Sequence, residues 1–141
     1  MNQLQKVLVV DDNPVNLAVL YEILEDDYEV EYARNGHDAI RIAEECLVDI
    51  ILLDVMMPGM DGLEVCRRLR ANLTLKDAII IMVSAKAMPS ERAAGIVAGA
   101  DDYITKPFNE MHLLETIRRC QRISRSTIGQ TATSVSNEEN A

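Results

Sequence analysis

The sequence predicts an α/β fold built on a parallel sheet with helices over both faces. Three observations carry that prediction. The runs Val7-Leu8-Val9-Val10, Ile50-Ile51-Leu52-Leu53 and Ile79-Ile80-Ile81-Met82-Val83 are strand-sized and continuously apolar. Such runs suit strands buried on both faces rather than strands with one wet side. Stretches with apolar residues at helical spacing follow each strand-like segment, so strand and helix alternate five times. Finally, Asp11, Asp12, Asp54, Ser84 and Lys106 all fall just past an apolar or strand-like run. They therefore share the carboxyl edge of the sheet, where open parallel sheets bind ligands.

The elements are read in order. Strand one covers about Lys6–Val10. Asn13-Pro14 is an N-cap followed by proline at the first helical position, and the helix runs through Val15, Leu17, Leu20 and Leu24. Asp26-Asp27 closes it, Tyr28–Ala33 is strand two, and Asn35-Gly36 turns the chain into a helix from about His37 to Cys46. Strand three is Asp49–Leu53. Met57-Pro58-Gly59-Met60-Asp61-Gly62 is a loop, broken by two glycines and a proline. The next helix buries Leu63, Val65, Cys66 and Leu69 and turns Arg67, Arg68 and Arg70 to solvent. Strand four is Ile79–Val83, and Pro89-Ser90-Glu91 starts a helix weakened by Gly95, at a cost of about 1 kcal/mol relative to alanine. Strand five is about Asp102–Thr105, and Asn109 caps a last helix through Leu113, Leu114, Ile117 and Cys120.

A chain of 141 residues fits one domain, residues 1–123, with a polar tail over 124–141 read as disordered or as the start of a linker. With no Trp and one Phe, the core must be aliphatic. The net charge of -9 argues against direct nucleic-acid binding by this domain. Cys46, Cys66 and Cys120 are widely spaced and odd in number, which suits reduced thiols in a cytoplasmic protein rather than zinc or disulfides. No apolar stretch approaches the ~20 residues that span a bilayer, so no membrane association is expected. His37 and His112 lie on helices away from the acids. Arg118, Arg119, Arg122 and Arg125 near the last helix read as solvated, with contact to an acidic partner as the alternative.

Acid pairs need weighing in so acidic a chain. Asp26-Asp27 and Asp101-Asp102 precede strands, at the opposite sheet edge, and read as turn and capping residues. Asp11 and Asp12 share their edge with Asp54. Crowded carboxylates disfavour one another's ionisation, and a cation removes that cost. A hard ion such as Mg²⁺ suits an all-oxygen set and is often shared with a phosphate. An acid that merely caps a helix beside solvated neighbours is the plainer reading of the pair alone. Asp54 is either a ligand only or a nucleophile. Lys106 can clamp a phosphoryl oxygen and Ser84 can donate to another.

These strings resemble the response-regulator receiver domains of two-component signalling. The resemblance covers about Lys6 to Arg122 and rests on Val9-Val10-Asp11-Asp12-Asn13, on Leu53-Asp54-Val55-Met56-Met57-Pro58-Gly59-Met60-Asp61-Gly62, on Val83-Ser84-Ala85 and on Gly99 through Phe108. It implies a flavodoxin-like (βα)5 three-layer sandwich with strand order 2-1-3-4-5. It implies that Asp54 accepts a phosphoryl group from a histidine kinase or histidine phosphotransfer protein. Asp12, Asp54 and the backbone carbonyl of Met56 would hold Mg²⁺, or Mn²⁺ in its place, with Asp11 acting through water. Lys106 and Ser84 would hold phosphoryl oxygens. Tyr103 would swing inward as Ser84 moves, reshaping the surface of the fourth helix, fifth strand and fifth helix for a downstream protein or output domain, or for a homodimer. Met56 and Lys86 would flank the path of the hydrolytic water, and Met56 cannot orient water by hydrogen bonding.

The implied protein is a phosphoacceptor switch rather than a turnover enzyme. An aspartyl-phosphate phosphohydrolase is the alternative, but such enzymes carry a second acid two positions after the nucleophile, where this chain has Met56. A flavodoxin-like cofactor binder would need a phosphate-cradling loop after strand one, where two acids stand. A receiver acting without phosphorylation is the remaining reading.

Overall fold

The computed structural model describes residues 4–133, with side chains described to residue 123. Strands and helices alternate as β1 (Lys6–Val10), α1 (Pro14–Leu24), β2 (Glu29–Ala33), α2 (Gly36–Cys46), β3 (Ile50–Leu53), α3 (Gly62–Ala71), β4 (Ile79–Ser84), α4 (Pro89–Ala98), β5 (Asp102–Thr105) and α5 (Glu110–Thr133). The chain divides into two compact units, residues 1–108 and residues 109 onward.

The first unit contains the whole sheet, with strands in the order β2-β1-β3-β4-β5 and every neighbouring pair parallel. Right-handed crossovers cover a parallel sheet on both faces, which is why β3 and β4 are buried at every position. The edge strand β2 instead carries Glu29 and Glu31, charges that blunt an open edge. The pairing aligns Val10 with Leu53, Leu53 with Met82, and Met82 with Tyr103. The residues after Val10 and Leu53 therefore leave the sheet side by side. That point lies between β1 and β3, where the strand order reverses, the usual ligand crevice of such sheets.

One face of the sheet supplies Leu8, Val10, Ile51, Leu53, Ile80 and Met82 to a continuous aliphatic core. Ala39 and Ala43 of α2, and Val65 and Leu69 of α3, close over it. Alternate residues, including Val7, Val9, Ile50, Leu52 and Ile81, are buried on the other face. On α1, which packs on β1 and β2, the buried residues are Leu17, Leu20 and Leu24. In the second unit, α5 buries Leu113, Thr116, Ile117 and Cys120 along one stripe.

Asn13 caps α1 as the sequence indicates, accepting from the backbone N–H of Val15 at 2.8 Å, and Asn109 accepts from that of His112 at 2.7 Å. Asn35 and Asp61, read as turn and loop residues, are also N-caps, of α2 and α3. Strand β4 runs one residue further than expected, so Ser84 ends the strand rather than following it. Helical backbone in α5 continues to Thr133, so the expected tail overlaps it at residues 124–133. The rest of that tail, residues 134–141, lies outside the described residues.

The expectation of a solvated Arg67-Arg68-Arg70 face needs one correction. Arg67 and Arg68 pair with Glu64 in the open. Arg70 is largely enclosed, and its guanidinium donates to the carbonyls of Gly99, Lys76 and Ala78 and to Asp101 Oδ2 at 2.7 Å. The same Asp101 oxygen accepts from the Ile80 N–H at 2.8 Å. Helical periodicity placed Arg70 beside Arg67, but the groups that need its donors lie outside the helix, six and eight residues on at Lys76 and Ala78 and 29 and 31 residues on at Gly99 and Asp101. Arg70→Ala strands several carbonyl acceptors and is expected to cost about 2 kcal/mol in urea denaturation, whereas Arg67→Ala should leave the midpoint nearly unchanged.

Candidate functional site

Asp11, Asp12 and Asp54 meet at the carboxyl edge, with one carboxylate oxygen from each lying within 4.8 Å of the others. Asp11 and Asp54 are buried, at 2% and 7% exposure, and Asp12 is half-buried. Lys106 reaches in from β5's end and bridges the two buried acids, its Nζ 2.8 Å from Asp11 Oδ2 and 3.2 Å from Asp54 Oδ2. The Lys106-Pro107 peptide bond is cis. The remaining carboxylate valences are also used. Asp11 accepts from the Asn13 N–H at 2.9 Å and from Asn16 Nδ2 at 3.2 Å. Asp54 Oδ1 accepts from the Met56 N–H at 3.0 Å.

Burial pushes the Asp54 carboxyl above its ordinary pKa, and the negative Asp11 adds to that rise. The Met56 N–H and the Lys106 ammonium oppose it without cancelling it. For Lys106, partial burial works to lower the pKa, but the hydrogen bond to Asp11 and the charges of both acids outweigh it and hold the ammonium above the usual lysine value. The lysine therefore stays charged, and the cluster still holds an acid content that one lysine does not balance.

The second half of the site lies across β4. Ser84 is fully buried, and its Oγ accepts from the Lys86 N–H at 3.2 Å. The Lys86 carbonyl accepts from the Tyr103 hydroxyl at 2.7 Å, so the ring expected to swing inward as Ser84 moves already lies inward here, because the Lys86 carbonyl is within its reach without a phosphoryl group. The Lys86 ammonium stands 3.7 Å from Glu91 of α4. Met56 is half-exposed on the rim. It borders a cleft of about 520 Å³ that Pro58, Leu63, Lys86, Glu91 and Ala94 also line. All eight candidate residues, Asp11, Asp12, Asp54, Met56, Ser84, Lys86, Tyr103 and Lys106, thus lie at or beside one sheet edge.

A family model for the response regulator receiver domain matches residues 7–118. The chain belongs to the response regulator receiver domain family. Solved structures agree. The chemotaxis protein CheY4 of Vibrio cholerae is 34% identical, covering 84% of this chain and 99% of that one, with a TM-score of 0.80. A CheY-like receiver domain protein from Methanospirillum hungatei is 30% identical over 89% of this chain and 99% of that one, with a TM-score of 0.82. The response regulator DrrB of Thermotoga maritima is 32% identical over 85% of this chain, which spans 54% of that longer protein, with a TM-score of 0.76. A role in two-component signalling follows from the family. No described helix of this receiver domain is long and apolar enough to cross a membrane.

The roles of two residues of the receiver site, Asn16 and Gly62, escaped the sequence, although Gly62 reads there as a loop glycine. Asn16 supports Asp11 from inside α1, and only its place five residues on, near the helix start, hinted at it. Gly62 begins α3 directly against β3's end, where a Cβ would collide with the Asp54 carbonyl oxygen. No side chain fits there.

A carboxyl with a raised folded pKa holds its proton more tightly in the folded chain. Folding therefore loses stability as pH climbs from the ordinary carboxylate value through the raised one. In metal-free protein, Asp54→Asn is expected to raise the melting temperature at neutral pH. The advantage should shrink on acidification through Asp54's folded pKa, as read from melting curves across pH.

Proposed function

We propose that Asp54 is the phosphoryl acceptor of this receiver domain, and that its phosphorylation by a histidine kinase or histidine phosphotransfer protein biases a partner-binding surface that includes α4 and β5. The observation that carries this reading is the convergence of Lys106, Asp11 and Asp54. A cation already bridges a buried, electron-rich oxygen and the acid beside it. The Asp54 carboxylate forms a P–O bond as the P–N bond of the donor breaks. The electron pair goes to the ring nitrogen, and a donor ring protonated at its other nitrogen leaves as neutral imidazole.

The acidic set suits Mg²⁺, with Mn²⁺ as a substitute. Its donors are all oxygens, one from each acid within 4.8 Å of the others, a hard set of the kind Mg²⁺ takes. Asp12 and Asp54 would hold the ion with the Met56 carbonyl, and Asp11 at one remove. When bound, the ion supplies positive charge that neutralises the clustered carboxylates and the phosphoryl oxygens. Lys106 would exchange a carboxylate for a phosphoryl oxygen, and the Ser84 hydroxyl would donate to another. Because the Lys86 backbone donates to Ser84 and accepts from Tyr103, displacement of Ser84 has a hydrogen-bonded route to the ring that packs against α4.

The output is an altered contact surface, and the domain works in the cytoplasm with a downstream protein or output domain as its partner. The shift in equilibrium comes from the phosphoryl group's different contacts in the two states. Turnover of small phosphoesters has no second acid to serve it, since Met56 stands two residues after Asp54.

Intact mass after incubation with a small phosphoryl donor and Mg²⁺ tests the reading. Wild type is expected to gain one phosphoryl group, with no gain in Asp54→Asn or with Mg²⁺ chelated. Gain in Asp54→Asn equal to wild type would refute the acceptor assignment. The half-exposed Met56 offers water no hydrogen bond, so slow loss of the phosphoryl group is expected. Met56→Asn should accelerate that loss several-fold in a mass time course, and an unchanged rate would count against a role for this position.

A further inference from the structure

Tyr103 is the one buried aromatic residue among those described. Three neighbours enclose it. Its hydroxyl donates to the Lys86 carbonyl at 2.7 Å. The Arg92 guanidinium lies 5.3 Å from the ring centroid and also donates to Thr105 Oγ1 at 3.2 Å, which fixes it above the ring. The third neighbour is an absence of side chain. A Cβ at Gly95 would stand 3.0 Å from the ring's Cδ2, 3.2 Å from Cε2 and 3.4 Å from Met82 Cγ.

Glycine inside a helix is unfavourable relative to alanine, so Gly95 in the middle of α4 needs a reason. Close packing supplies it. The ring cannot yield a few tenths of an ångström freely, because its hydroxyl is tied to Lys86 on one side and Arg92 covers its face. We infer that Gly95 is a positioning residue for Tyr103. Its missing side chain admits the ring beneath α4 at the depth where the hydroxyl reaches the Lys86 carbonyl. An alanine there would force a choice between the helix–strand spacing and that hydrogen bond. The ring, held by a rotatable bond, is the part that moves. Loss of the bond would remove the link through Tyr103 between Ser84 and the middle of α4, leaving only the contact of Lys86 with Glu91 at the helix start, and this consequence rests on the function proposed above. The placement of Tyr103 stands on the packing alone.

The test is fluorine NMR of the full chain labelled with fluorotyrosine, with the Tyr103 signal assigned by Tyr103→Phe. In wild type that signal should be insensitive to exchange of H₂O for D₂O. In Gly95→Ala it should acquire the solvent-isotope shift of an exposed tyrosine, while intact mass still records phosphorylation by a small donor with Mg²⁺. A Tyr103 signal that stays shielded in a folded Gly95→Ala would overturn the inference. A thermal double-mutant cycle covers the case in which Gly95→Ala folds poorly. Gly95→Ala should lower the melting temperature beside Tyr103 and raise it in a Tyr103→Ala background, where the better helix former has room. Equal shifts in both backgrounds would overturn the inference as well. Failure of wild type to take up phosphate would count against the proposed function and not against this placement, because the NMR comparison and the cycle use unphosphorylated protein.

Discussion

An ammonium held between two buried carboxylates, Lys106 between Asp11 and Asp54, is the contact on which the site depends. Neither acid is well hydrated, and burial of an unpaired charge is costly enough that a chain would abandon it or neutralise it. Lys106 lowers that cost without removing it, since three acids face one lysine. The cluster is thereby held ready for further positive charge, and a phosphoryl group can later take over the lysine. Backbone donors complete the arrangement. The N–H groups of Asn13 and Met56 fix one oxygen each of Asp11 and Asp54, so the acids are aimed before any ligand arrives.

The sheet makes this contact possible. Asp11 and Lys106 are 95 residues apart in sequence, and Asp54 and Lys106 are 52 apart. Only the β1-β3 adjacency at the order reversal, with β4 and β5 added outward, brings their strand ends to one crevice. The aliphatic core holds those ends rigidly because its strands are buried on both faces. Arg70 adds a second long-range tie, joining the end of α3 to the α4–β5 turn and the start of β4. The last turn of α4 is thus anchored, while its first turn meets the site through Glu91 and Lys86.

Much of this was legible in the sequence, and the reasons differ by residue. Continuous apolar runs identify doubly buried strands, so the strand-end position of Asp11, Asp54 and Ser84 followed from counting along the chain. Asn13-Pro14 declares a helix start because cap and proline satisfy the same local geometry. Arg70 was misread because its neighbours Arg67 and Arg68 do face solvent, and periodicity carries no record of acceptor carbonyls outside the helix. Asn35 and Asp61 were read as loop residues because glycines beside them signal a turn as strongly as a cap. Asn16 carried no signal of its own, and Gly62 signalled only a turn, since their roles exist only against Asp11 and the Asp54 carbonyl.

By itself the sequence determined the alternation of strand and helix, the buried character of the sheet and the chemistry gathered along one edge. These are local properties, set by side-chain period and backbone preference over a few residues. The tertiary structure alone decided that Lys106 bridges two acids, that Tyr103 lies beneath α4 with its hydroxyl on Lys86, and that Gly95 leaves room for its ring. Those outcomes depend on distances between segments far apart in the chain. Such distances are fixed only when sheet register, helix packing and the need to satisfy buried charges act together.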